Sequence, residues 1–123
     1  MKRVFSLTGM FFLIAILTAS GQTARKYIKA GEEFIRNGLY EDAIDQFSKA
    51  IDESPTWEEA YIRRARAYEM TGNFGMAMDD YRRASNFTPG DAGILHNLGR
   101  MCNKLAMTDG ITPEDRANTL MRQ

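Results

Sequence analysis

Among the side chains that do acid–base, nucleophilic or metal chemistry, this sequence has one histidine, His96, and one cysteine, Cys102. They stand six residues apart in a stretch with helical periodicity. At about 100° per residue they project roughly 120° apart, so one helix cannot present them as a dyad. Cys102 also falls on an apolar stripe, where a thiol is expected to be inert packing. The adjacent carboxylates Asp79-Asp80 and Glu58-Glu59 diverge around a helix, and each is expected to be solvated. No glycine-rich phosphate loop and no metal-ligand spacing occurs in the 123 residues. The residues point to no enzyme, no cofactor and no metal. A single cysteine also excludes an intramolecular disulfide.

Binding is the chemistry that remains. The basic, amide-bearing group Arg100, Asn103 and Lys104, with Arg66, could grip an acidic segment or a terminal carboxylate. Formal net charge is zero, and it becomes −2 without Lys2 and Arg3. Such a balance gives no support to nucleic-acid binding, which requires a basic excess to neutralise phosphates.

The elements that must position these groups follow from a repeat. The pattern of residues 40–55 returns at 74–89: Tyr40 pairs with Phe74, Ala43 with Ala77, Phe47 with Tyr81, Ala50 with Ala84 and Pro55 with Pro89. Ala43, Phe47 and Ala50 are spaced i, i+4, i+7 and share one helix face. The two alanines admit a neighbouring helix and the aromatic fills the remaining space. Each proline stops its helix by removing an N–H and constraining the residue before it. Preceding each of these helices is a second stripe: Tyr27, Ala30, Gly31 and Phe34, then Tyr61, Arg64, Ala65 and Tyr68, then Leu95, Leu98, Gly99 and Cys102. Thr23 is expected to cap the first of these helices. Gly38 and Gly72 are expected to end theirs. Thr56 and Glu59 read as a capping box. The pattern predicts antiparallel helix pairs, with Gly31, Ala65 and Gly99 at the close crossings.

These residues resemble the tetratricopeptide repeat family, whose 34-residue helix–turn–helix signature places Trp, Leu-Gly, Tyr, Ala, Phe, Ala and Pro at set offsets. The resemblance covers nearly the whole chain after residue 22. It implies an all-α solenoid with repeats at 24–57 and 58–91 and a degenerate third at 92–123. Arg64 replaces the usual leucine, and its stem is expected to cover the core edge while its head reaches water. In the third repeat the alanine position holds Ile111. A late cap at Thr112, with Pro113 at the first helical position and Asp115 as capping partner, points to an insertion in the turn. A short last helix with Ala117 and Met121 in the stripe follows.

The resemblance also implies that the first helices of successive pairs line a concave groove for a partner protein or peptide. The lining would be Ile28, Glu32, Ile35 and Arg36, then Ile62, Arg66, Glu69 and Met70, then His96, Arg100, Asn103 and Lys104. The family's carboxylate-gripping variant uses lysine and asparagine in its first repeat, where this chain has Ile28 and Glu32, so that activity is not expected. The function implied is a non-catalytic interaction module. The alternative is a structural repeat protein that self-associates through its last, incomplete repeat.

The N-terminus reads as an address. Lys2 and Arg3 precede a mostly apolar run, Val4 to Leu17, and then Thr18-Ala19-Ser20-Gly21-Gln22. The run is shorter than the roughly 20 residues that span a bilayer, and the order of regions is that of a signal peptide. Ala19 and Gly21 suit the −3 and −1 sites, making residues 1–21 the signal and Gln22 the first mature residue. Periplasmic or secreted placement is expected, or else an uncleaved segment that anchors the chain on the outer side of the membrane.

Overall fold

The computed structural model describes residues 7–110, with side chains throughout from Ala19 and at Met10, Leu13, Ile14 and Ala15 before it. The described residues form five helices: α1 Leu7–Arg36, α2 Tyr40–Glu53, α3 Glu58–Met70, α4 Phe74–Phe87 and α5 Ala92–Thr108. They contain no strand, so the fold is all-α. The chain divides into two compact units, residues 1–57 and 58–123. No helix among the described residues is long and apolar enough to cross a membrane.

In the first unit α1 and α2 pack as a hairpin. Gly38 makes the turn with φ +74°, a value that favours glycine because it carries no Cβ. The Leu39 N–H donates to the Phe34 carbonyl at 2.9 Å, the six-residue closure that satisfies an orphan carbonyl at a helix end. On α2 the stripe Ala43, Phe47 and Ala50 is buried as the spacing predicts. Gly31 lets α1 approach α2 closely: a Cβ placed there would lie 2.4–2.8 Å from the Phe47 ring. The start of α1 differs from expectation. The helix runs unbroken through Thr23, whose hydroxyl donates back to the Ala19 carbonyl at 3.0 Å instead of capping a helix start. Hydroxyls use that back-bond inside helices.

The second unit repeats the hairpin and adds a helix. α3 packs on α4, and α4 on α5. Gly72 turns the chain with φ +78°, and the Asn73 N–H donates to the Tyr68 carbonyl at 2.8 Å. Ala77, Tyr81 and Ala84 are fully buried. α2 and α4 each end two residues before their proline. α3 begins at Glu58, which leaves Thr56 outside the cap position, and Glu59 is paired with Arg63 instead of closing a capping box.

Two expectations about buried polar groups are reversed. The Arg64 guanidinium turns to a carboxylate and only a small part of the side chain meets water: Nε and Nη2 donate to the two carboxylate oxygens of Asp80 at 2.7 and 2.8 Å. Asp80, expected to be solvated, is buried, its side chain 4% exposed against 17% for Arg64. Packing of α3 on α4 brings the two together from well-separated points in the chain, and a charge that enters a core must be paired there.

The third repeat departs in register and in length. α5 is buried at Ile94, Met101 and Ala106, with Leu98 packed against the Ala65, Ala77, Tyr81 and Met101 cluster. Leu95, Gly99 and Cys102, expected in the core, are exposed. The reason is geometric, since the helix that α5 packs on is the preceding α4, which meets the Ile94–Met101 side. Ala92 opens α5 where Glu58 opens α3 one repeat earlier, yet α3 is a helix of 13 residues and α5 one of 17 residues. The extra length adds about one turn to the end of α5, and the insertion expected in the turn lies in the helix. Asp91 caps α5 by accepting the Ile94 N–H at 2.9 Å, a bond available to any Asp at that position. Gly110 then turns with φ +67°. The expected last helix, with Ile111, Thr112, Pro113, Asp115, Ala117 and Met121, lies outside the described residues.

Candidate functional site

The candidate groove residues fall into both units. In the first, Ile28 is 7% exposed, so it is a packing residue and is not available to line a groove. Glu32 and Ile35 are half-buried, and exposed Arg36 pairs with Glu33 on its own helix. The Arg36 hydrogen bond and charge hold the Glu33 carboxyl below the usual carboxylate range.

In the second unit the candidates converge on one carboxylate. Glu69, near the C-terminal end of α3, is only 9% exposed. Its Oε1 accepts the Tyr81 hydroxyl at 2.7 Å and Arg100 Nη2 at 2.9 Å. Lys104 Nζ stands 3.9 Å from Oε2 and 4.8 Å above the Phe74 ring. Arg100 Nη2 also donates to Asn97 Oδ1 at 3.2 Å. α3, α4 and α5 are thus tied at a single point. Glu69 was read as a groove-lining residue; it is the hub of this network. Burial, with the Glu69 hydrogen bond and charge added, pushes the Tyr81 hydroxyl well above its ordinary pKa.

Arg66, one turn before Glu69 on α3, is exposed and acts electrostatically on Tyr81; Arg100 and Lys104 are half-exposed, and His96 and Asn103 are exposed elsewhere on α5. Ile62 packs against the core cluster and shows only part of its side chain. Met70, the last residue of α3, is exposed. This face therefore offers Arg66, Arg100 and Lys104 with one carboxylate, Glu69, already engaged among them. Such a face suits charge-assisted hydrogen bonds to carboxylates. His96 and Cys102 are both exposed on α5. The Cys102 thiol is not core packing as the stripe suggested, and its Sγ lies 3.8 Å from Met78 Sδ.

Tyr81 is read from the sequence as a core aromatic only, and its hydroxyl's role at Glu69 is missed, although a signal exists. One repeat earlier, the positions of Glu69 and Tyr81 hold Ile35 and Phe47, an apolar pair. Carboxylate and hydroxyl appear together in the second repeat, as contacting groups do. Arg64 and Asp80 likewise replace Ala30 and Gln46. The register of α5 had a marker too, because Ile94 and Met101 stand one repeat after Ala60 and Ala67, which are also buried.

At the edge of the same unit an open cleft of about 610 Å³ lies between the start of α4 and the end of α5. Phe74, Met76, Met78 and Leu105 supply apolar walls, and Asn73 and Asp79 stand among its lining.

One family match falls on the α3–α4 hairpin. Residues 58–91, from the start of α3 past the end of α4, match the tetratricopeptide repeat family model. The chain is 34% identical over 91 residues to the transcription factor tau 131 kDa subunit of Saccharomyces cerevisiae. That match covers 72% of this chain and 8% of the yeast protein's length. Among solved structures, the first tetratricopeptide domain of Spaghetti (RPAP3), bound to an HSP90 peptide, is similar with 20% identity and a TM-score of 0.41. The match covers 70% of this chain and 95% of that one. The α3–α4 hairpin thus carries a tetratricopeptide repeat, the class of helix–turn–helix unit that the 34-residue period describes.

Proposed function

We propose that this chain is a non-catalytic protein–protein interaction module that works outside the cytoplasm and binds an acidic segment of a partner protein on the second unit. The family match supports an interaction role, since repeats of this class present helix faces to partners. The observation that carries the acidic preference is the set Arg66, Arg100 and Lys104 around the single carboxylate of Glu69. Export rests on the order of basic, apolar and small residues at the N-terminus. Cleavage before Gln22 leaves Gln22 to Arg36 of α1, the part in which Ala24, Ile28 and Gly31 are buried.

The test is capture of a partner from the compartment outside the cytoplasm with the 22–123 chain, repeated with Arg66→Glu. A genuine partner is released as salt rises, because exposed charge contacts are screened, and is lost with Arg66→Glu. A partner indifferent to both refutes the acidic-segment reading.

Self-association is a second reading, favoured by the exposed Leu95, Gly99 and Met107 on α5 and by the cleft beside Met76. Mass measured by light scattering across a hundredfold range of concentration separates it. A constant monomer mass removes this reading.

A further inference from the structure

We infer that Glu69 is a built-in competitor for the acidic segment that the second unit binds, holding Arg100 and Lys104 until a partner's carboxylates take them over. The inference rests on the binding reading above and deepens it. Each Glu69 oxygen faces a cation, Oε1 at Arg100 and Oε2 at Lys104. The cations are the mobile members of the network. Arg100 and Lys104 are 44% and 40% exposed while Glu69 is 9% exposed, so their heads can swing to a ligand and Glu69 cannot follow. Lys104 already makes the weaker contact, 3.9 Å from the carboxylate, and shares its charge with the Phe74 ring.

Stranding a nearly buried carboxylate is ordinarily prohibitive. Here the Tyr81 hydroxyl, fully buried on α4, still donates to Oε1 at 2.7 Å once the cations have left. Glu69 therefore keeps a partner, and the exchange is uphill without being forbidden. Arg66 is exposed and forms no ion pair with an acidic group among the described residues. It can take the first carboxylate before Arg100 and Lys104 are released. A single carboxylate gains little by this exchange, whereas a segment carrying several replaces every contact that Glu69 gives up. The arrangement selects for clustered acidic residues and against isolated ones.

The experiment measures anisotropy of a fluorescein-labelled hexaglutamate peptide with the full chain at low ionic strength. Glu69→Gln preserves shape and an acceptor for Tyr81 and removes only the charge. It is expected to bind the probe about tenfold more tightly, with a steeper salt dependence and a similar thermal midpoint. Glu69→Met gives the same readout should the amide fail to fold. Arg66→Gln is expected to weaken the probe in every background. If neither Glu69 variant tightens binding while Arg66→Gln still weakens it, the competitor role is overturned and the acidic-segment reading stands. If the probe binds no variant, or binds without regard to salt and Arg66, both fall together.

Discussion

Arg64 on α3 and Asp80 on α4 meet as a two-point ion pair, 2.7 and 2.8 Å, with the guanidinium also set between the rings of Tyr61 and Tyr68 at 6.0 and 5.8 Å. Asp80 is buried and Arg64 mostly so, and removing either partner leaves the other charge largely enclosed. Asp80→Ala should therefore destabilise the chain by about 3 kcal/mol, the usual result of leaving a buried charge unpaired. The double variant Arg64→Met with Asp80→Leu should lie much closer to the native stability. Urea unfolding followed by circular dichroism checks both. A double variant as damaged as Asp80→Ala would mean that the pair holds the hairpin by more than mutual neutralisation.

Close approach in the first unit is set by Gly31 against Phe47. Gly31→Ala should destabilise by roughly 1–3 kcal/mol, as overpacking does. Adding Phe47→Leu should recover part of that loss. Ala43→Leu and Ala77→Leu, at fully buried positions, should have a similar effect. Unchanged urea midpoints for these variants would contradict the packing.

Tyr81 gives the fold a sensitivity to alkali. Its hydroxyl pKa is raised in the folded chain, whereas an unfolded tyrosine ionises near about 10. Above that value the unfolded state loses the proton first and is favoured. Stability contributed by Tyr81 is thus complete below about pH 10 and declines as pH rises beyond it, by at most about 1.4 kcal/mol per pH unit. Tyr81→Phe should flatten this decline and reduce stability near neutrality by about 1 kcal/mol, the value of one hydrogen bond. Guanidinium unfolding at a series of pH values from 7 to 11 measures the slope.

Charge reversal separates ligand contact from scaffold. Arg100→Glu places a second carboxylate beside nearly buried Glu69, so it should lower thermal stability as well as binding. Arg66→Glu, on an exposed residue outside that pair, should leave the thermal midpoint almost unchanged while abolishing binding of an acidic segment. Differential scanning fluorimetry beside the anisotropy titration gives both numbers. Reversal of Arg82, which pairs with Asp79 on α4, serves as the control and should leave binding intact.

The proposed export makes a prediction of its own. Protein recovered from outside the cytoplasm should begin at Gln22, and intact-mass spectrometry reads this directly. Retention of Met1 would favour the anchored alternative.

What this chain carries in its sequence alone is the repeat unit and the turns and stops that divide it, though the caps read at Thr23 and Thr56 did not form. Recurrence of Ala43, Phe47 and Ala50 as Ala77, Tyr81 and Ala84 identifies the second helix of each hairpin and its buried face. Gly38 and Gly72 mark the turns, and Pro55 and Pro89 the stops, because glycine and proline act on the backbone where they stand. Arg100 and Lys104, one turn apart on α5, can be placed on one helix face from spacing alone. Tertiary structure decided which charges those faces keep. Arg64 and Asp80 are 16 residues apart, Tyr81 and Glu69 12, Arg100 and Glu69 31. Helical periodicity assigns a side chain to a face of its own helix but says nothing of what stands opposite. The α5 stripe shows the same limit. Repetition marks Leu95, Leu98, Gly99 and Cys102 as the hairpin-facing side; of these only Leu98 packs on the core, partly buried, while burial is complete at Ile94 and Met101 because α4 is the helix that meets α5. Apolar surface is buried wherever a neighbour is present to exclude water, and the presence of that neighbour is a property of the fold.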